Sequence, residues 1–202
     1  MLDGAMRRVI DPVMNRWGRA LAARGWTANR VTLAGLGSGL AAAAVLALGW
    51  PAWLALVLLL GSRLADGLDG AVARATAKTD FGGYLDIVCD FLFYGAIPLA
   101  FAIRDPDSNA VAAAFLLASF YANGSSFLAY AVLAAKRGMQ TTDRGEKSLY
   151  FTPGLLEGTE TIGFFVLLCL WPSAFGPLAW VFGTLCFYTF VSRIWLAWRV
   201  FG

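Results

Sequence analysis

Six long apolar runs, at roughly 31–49, 52–73, 81–103, 109–135, 154–172 and 177–200, leave this chain little polar sequence from which to build anything else. A segment needs about 20 apolar residues to cross a bilayer core. Backbone N–H and C=O groups find no water there, so a spanning segment must satisfy them as a helix or within a closed barrel. Barrel strands are short and alternate, and these runs do neither. The sequence therefore predicts an all-α integral membrane protein with six transmembrane helices. Charged residues make up only 14% of the 202 residues, against about a quarter in soluble domains, so no separate soluble domain is expected. The first run lacks a clear cleavage site and five more follow it, which argues against a removable signal.

The cations set an orientation. Arg7, Arg8, Arg16, Arg19, Arg24 and Arg30 precede the first run; Arg74 and Lys78 follow the second; Lys136, Arg137, Arg144 and Lys147 follow the fourth; Arg193 and Arg199 lie near the end. With six spans these fall on one side, so both termini are expected in the cytoplasm. Arg63 lies within the second run, and Arg104 alone falls in a loop on the other side. Before the first span, Val9, Ile10, Val13, Met14, Trp17, Ala20 and Leu21 recur at near-helical spacing among arginines. This predicts an amphipathic helix in the headgroup layer. The expected organisation is an amphipathic juxtamembrane arm over residues 1–30 and a six-helix catalytic domain over 31–202.

Cys89, Cys169 and Cys186 all sit in apolar runs and read as small buried hydrophobes. The chain has no His and no CxxC, which removes a zinc or haem site. Nothing suggests a nucleic-acid partner.

Acidic residues carry the chemical signal. Asp66 and Asp69 interrupt the end of the second run, and Asp86 and Asp90 the start of the third. A charge at a helix centre costs about 2.5–3.5 kcal/mol on insertion scales, so such residues are functional by default. The i,i+3 and i,i+4 spacings put each pair on one helix face. A short turn around Lys78, Thr79 and Asp80 lets the two faces meet. Four such carboxylates repel one another unless protons or cations sit among them. All-oxygen ligands suit Mg²⁺, Mn²⁺ or Ca²⁺. Two divalent ions would balance four carboxylates, and paired ions stabilise the attacking and leaving oxygens of an in-line phosphoryl displacement.

The run Asp66-Gly67-Leu68-Asp69-Gly70-Ala71-Val72-Ala73-Arg74, followed after seven residues by Gly82, then Asp86 and Asp90, resembles the D-x-x-D-G-x-x-A-R…G-x-x-x-D-x-x-x-D signature of the CDP-alcohol phosphotransferases. All eight defining positions match. The resemblance implies that Asp66, Asp69, Asp86 and Asp90 hold two Mg²⁺ or Mn²⁺ ions and that Asp90 is the general base. It implies that Asp69, Gly70, Ala73 and Arg74 bind the nucleotide of a CDP-linked lipid such as CDP-diacylglycerol. Gly82 would let the third span approach closely. A small alcohol would receive the phosphatidyl group and CMP would leave. It further implies membrane-lipid contacts, a homodimer, and a site on the cytoplasmic side of a bacterial inner membrane.

Weaker signals flank this one. Many family members have a Pro-Asn-x-x-Thr run where this chain has Ala28-Asn29-Arg30-Val31-Thr32. Asn29 and Thr32 are nucleotide candidates, while Thr27 or Asn29 could equally cap a helix. Gly35, Gly37 and Gly39 read as packing positions. Lys136, Arg137, Arg144 and Lys147 could surround an anionic acceptor or merely follow the positive-inside rule. Glu157 and Glu160 could read acceptor hydroxyls or pair with Arg144 or Lys147. A hydrolase, a transporter and a catalytically silent relative are the competing classes. The intact signature and the lack of an internal repeat weigh against the last two.

Overall fold

A computed structural model describes residues 3–139 and 156–202. Its described elements are helices: α1 (Asp3–Ala23), α2 (Ala28–Ala47), α3 (Ala52–Ala75), α4 (Asp80–Arg104), α5 (Pro106–Lys136), α6 (Gly158–Leu170) and α7 (Phe175–Phe201), the last preceded by a 3-10 turn at Pro172–Ala174. They follow the predicted runs, with ends moved by caps. The Thr27 hydroxyl accepts from the Arg30 N–H at 3.4 Å and starts α2 three residues before the predicted 31. Thr79 accepts from the Gly82 N–H at 3.0 Å and starts α4. Asp105 accepts from the Ser108 N–H at 3.2 Å and starts α5.

The largest shift is in the predicted 154–172 span. Glu157 and Glu160 form a reciprocal capping box, with the Glu157 N–H donating to Glu160 Oε2 at 3.1 Å, so the helix begins only at Gly158. Its 13 residues reach about 20 Å at 1.5 Å per residue. Among the described residues, four segments are long and apolar enough to cross a bilayer: α2, α4, α5 and Pro172–Phe201. The other two expected spans differ for separate reasons. α6 is short, and α3 has 24 residues but carries Arg63, Asp66, Asp69 and Arg74. Large apolar side chains such as Val111, Leu170 and Trp198 face outward, as in a protein solvated by lipid.

Helix α2 explains how α3 and α4 meet. It packs against both of them more extensively than they pack on each other. A Cβ at Gly35 would lie 3.0 Å from Ala65 Cβ of α3, and one at Gly39 would lie 2.6 Å from Phe93 Cδ2 of α4. Small residues thus admit α2 as a wedge that holds the two acidic helices apart. Gly37, predicted with them as a packing residue, has nothing within 4 Å of the place its Cβ would occupy.

The other half of the bundle is held by aromatic packing. Phe101 stacks on Phe175 at 4.4 Å, Phe164 on Phe182 at 4.1 Å, and Phe93 meets Phe165 edge-on at 5.7 Å. Helix α1 lies along α3. A Cβ on Gly18 would come within 2.6 Å of Ala71 Cβ and 2.7 Å of its carbonyl carbon, while Met14 rests over Gly67. Val13 and Trp17 remain exposed.

Candidate active site

The acids sit where α3 ends and α4 begins, on either side of the four-residue link 76–79. One carboxylate oxygen from each of Asp66, Asp86 and Asp90 lies within 4.8 Å of the others. This hard-oxygen donor set fits a divalent cation of the Mg²⁺ or Mn²⁺ kind.

Asp69, expected as a fourth ligand, lies outside that group of three and is nearly buried. Its Oδ2 accepts from the Thr32 hydroxyl at 2.6 Å. The same hydroxyl is 3.0 Å from the Ala28 carbonyl, but it has one proton. The shorter, charge-assisted bond to the carboxylate is the stronger claim on it. Thr32 therefore fixes Asp69 from α2. Asn29, one turn earlier, lies beside the start of α4, where a Cβ on Gly82 would be 3.3 Å from Asn29 Oδ1. That crowding supports the expectation of close approach at Gly82.

At the end of α3, a Cβ on Gly70 would meet only Arg74 Nη1, at 3.4 Å. The helix surface there is otherwise open, and Ala73 is half-buried beside it. Arg74 Nε and Nη2 donate to Asn15 Oδ1 of α1 at 3.0 and 2.8 Å. One edge of the guanidinium is thus held by α1, while Nη1 stays over Gly70.

Arg63 went unrecognised as a site residue in the sequence. It lines the same pocket as Thr32, Asp66, Asp69 and Asp90. Its Nη1 donates to Asp90 Oδ1 at 2.8 Å and stands 3.6 Å from Asp66 Oδ1. Nη2 donates to Ser62 Oγ at 3.1 Å, and the guanidinium lies 4.1 Å above the Phe93 ring. The signal was available: a cation inside an apolar run, one turn from an aspartate, is as costly as the aspartate itself.

The basic and acidic acceptor candidates divide. Lys136 closes α5. Arg137 donates to the Val200 and Phe201 carbonyls, both at 2.9 Å, and so ties down the end of α7. Glu157 and Glu160 cap α6. Arg144 and Lys147 lie outside the described residues. The start of α6 nevertheless approaches the acids: a Cβ on Gly158 would be 3.6 Å from the Tyr94 hydroxyl, and Tyr94 is one turn beyond Asp90. A second buried cation, also missed, stands on α7. Arg193 is 6% exposed, and its Nη1 donates to the backbone carbonyl and side-chain oxygen of Asn123 at 3.2 and 2.7 Å. Its Nε is buried without a hydrogen-bond partner among the described residues, like that of Arg63.

A helical membrane bundle whose convergent acids come from a D-x-x-D-G-x-x-A-R run and the G-x-x-x-D-x-x-x-D run after it defines a class, and comparison with known proteins agrees. The family model described as CDP-alcohol phosphatidyltransferase matches residues 26–198. The chain belongs to the CDP-alcohol phosphatidyltransferase family, integral membrane transferases of phospholipid biosynthesis. It is 47% identical over 195 residues to Inner membrane protein YnjF of Escherichia coli (strain K12), covering 96% of this chain and 94% of that one. It is 28% identical over 198 residues to the archaetidylinositol phosphate synthase of Pyrococcus horikoshii, covering 98% and 96%. Among solved structures, the Mycobacterium tuberculosis phosphatidylinositol phosphate synthase with CDP-DAG bound superposes with a TM-score of 0.71 at 22% identity, over 93% of this chain and 94% of that one. The same enzyme in complex with manganese and citrate gives 0.69 at 22% identity, over 92% and 88%. These two likenesses concern the fold.

Proposed function

We propose that the protein transfers a phosphatidyl group from a CDP-linked lipid, with CDP-diacylglycerol as the first donor to test, to a small alcohol, releasing CMP. The observation that carries this reading is the convergence of Asp66, Asp86 and Asp90 within 4.8 Å beside the open helix surface at Gly70. In it, Asp66, Asp69, Asp86 and Asp90 hold two divalent cations, Mg²⁺ or Mn²⁺. Bound ions would offset the charge of the diphosphate and of its leaving group.

The chain's own residues do the rest. Gly70 and Ala73 leave room for the nucleotide against α3, with Asn29 and Thr32 along its α2 side. Arg74 offers its Nη1 edge to the diphosphate. Asp90 takes the proton of the acceptor hydroxyl. The acceptor oxygen bonds to the phosphorus that carries the lipid, the bond from that phosphorus to the CMP oxygen breaks, and CMP leaves. The lipid tails remain in the bilayer throughout.

For the acceptor we favour a phosphorylated polyol. Arg193 is a buried guanidinium that donates to the neutral oxygens of Asn123 and faces the carboxylate of Glu157, a pair that could take the phosphate and a hydroxyl of such an acceptor. Lys136 and, outside the described residues, Arg144 and Lys147 add positive charge. A relative named archaetidylinositol phosphate synthase points the same way. Glu157 and Glu160 remain candidates for the acceptor's hydroxyls through the start of α6. The wider reading is a six-span protein of a bacterial inner membrane with both termini and the site in the cytoplasm. Residues 1–30 form its juxtamembrane arm and 31–202 its catalytic domain. Membrane lipids surround it and a second copy completes a homodimer.

The test is CMP release by the purified protein from CDP-diacylglycerol with Mg²⁺ or Mn²⁺, offered glycerol 3-phosphate, inositol, inositol phosphate, serine or water alone. CMP that requires a phosphorylated acceptor and disappears with EDTA supports the reading. CMP in water alone makes the protein a hydrolase. No CMP from folded protein removes the assigned donor.

A further inference from the structure

Metal-site carboxylates in a membrane protein pose a problem before any ion arrives. They must be assembled, at close quarters and away from bulk water, without flying apart. The chain carries a cation among its acids that the family signature does not include. Arg63 Nη1 lies 2.8 Å from Asp90 Oδ1 and 3.6 Å from Asp66 Oδ1, touching two of the three carboxylates whose oxygens converge. The arginine side chain is 11% exposed, while Asp66 and Asp90 are 34% and 28% exposed. The guanidinium therefore sits on the inner side of the acids, and the more open side is left for an incoming ion.

A guanidinium and a divalent ion cannot both hold these two carboxylates without strong repulsion at a few ångströms. The surroundings of Arg63 provide for a shift. Its Nε is buried with no hydrogen-bond partner among the described residues. Its flat face already rests on Phe93, a fully buried ring 4.1 Å away, and Ser62 accepts from Nη2. A ring face attracts a cation over a broad area. The guanidinium can slide along it away from Asp90 while staying stabilised.

We propose that Arg63 is a positioning residue. It is a built-in counter-ion that holds Asp66 and Asp90 together while no divalent cation is bound, and that competes with the cation for the same carboxylates. The inference rests on the metal-site reading above and adds to it a cost of loading set by this chain. Two consequences follow in opposite directions. Without Arg63 the metal-free site loses its neutralising charge and the fold loosens. With an ion bound, the repulsion is gone and the ion is held more tightly.

The experiment follows Mn²⁺ on the protein in detergent without substrate, using the electron-paramagnetic-resonance signal of free Mn²⁺. Arg63→Gln is prepared in Mn²⁺ and titrated with a chelator, so the variant never has to fold without an ion. Arg63→Gln should hold Mn²⁺ about tenfold more tightly than the native protein, which corresponds to about 1.4 kcal/mol. Its melting temperature should fall more than the native one when the ion is stripped. Arg63→Lys keeps the charge and should return the affinity most of the way to native. Equal or weaker Mn²⁺ retention by Arg63→Gln overturns the inference, as does Arg63→Lys behaving like Arg63→Gln. Failure of the native protein to bind Mn²⁺ at all would instead overturn the metal-site reading beneath it.

Discussion

Among the described residues, Arg63 and Arg193 are largely enclosed in the bundle, each near a phenylalanine ring and each with an Nε that has no hydrogen-bond partner, yet their surroundings differ in kind. Arg63, between α3 and α4, lies against the carboxylates of Asp90 and Asp66. Arg193, between α7 and α5, donates to the carbonyl and amide oxygens of Asn123, with Phe127 at 5.6 Å. The charge of the first is largely answered inside the protein. The charge of the second is hydrogen-bonded to neutral oxygens and faces the single carboxylate of Glu157 at the start of α6. Identical side chains thus stand in two settings, one among converging carboxylates and one between a neutral amide and a single carboxylate. The difference comes from what the neighbouring helices offer, not from the arginines.

That contrast can be broken at several points. The largest effect is expected at the acidic half: Asp90→Asn should lower CMP release by about 10²–10⁴-fold, the range for a lost general base. CDP binding, measured by calorimetry, should stay close to native. Turnover near the native rate would end the assignment of Asp90. Next, Arg193→Gln should raise the KM for a phosphorylated acceptor by roughly tenfold or more, since hydrogen bonds to charged groups contribute about 1.5–3 kcal/mol. Mn²⁺ affinity should be unchanged. A Mn²⁺ affinity that moves with Arg193 would merge the two halves into one site.

Smaller effects sharpen the boundary. Thr32→Val removes the 2.6 Å bond to Asp69 and should reduce kcat/KM for the donor by about tenfold, again on the scale of one charge-assisted bond. The acceptor KM should not move. Asn15→Leu frees the edge of Arg74 that α1 now holds and should raise the donor KM by about threefold to tenfold, less than the full worth of a bond to a charged group because Arg74 itself remains. Steady-state kinetics with each substrate varied in turn reads both variants.

Much of the acidic half was legible in the sequence, because the i,i+3 and i,i+4 spacings and a short polar turn are local features. Asp66, Asp86 and Asp90 come together as those spacings imply. The identity of the third partner was not legible. That α2 wedges between α3 and α4 depends on which glycines face inward, and Gly35, Gly37 and Gly39 look alike until the helices are packed. The other half was harder still. Glu157 and Glu160 form a capping box with Glu, not Ser or Thr, at the cap, so the usual pattern did not flag it. Arg137 reads as a loop cation, but it binds carbonyls 63 and 64 residues away, which no local pattern encodes. Arg63 and Arg193 stand out as charges in apolar runs, but the orientation argument places Arg193 with the cytoplasmic cations and sets Arg63 inside the second run, and neither reading points to a site.

The docking of α1 has a consequence for what counts as the smallest working unit. The stretch that matches the family begins at residue 26, whereas Met14, Asn15 and Gly18 touch the signature helix at Gly67, Arg74 and Ala71. Trimming the chain to the matching stretch would keep every signature residue and uncover the back of the helix that carries five of them. An arm expected at the membrane surface thus braces the signature helix, and the stretch by which the family is recognised leaves out part of what contacts that helix in this protein.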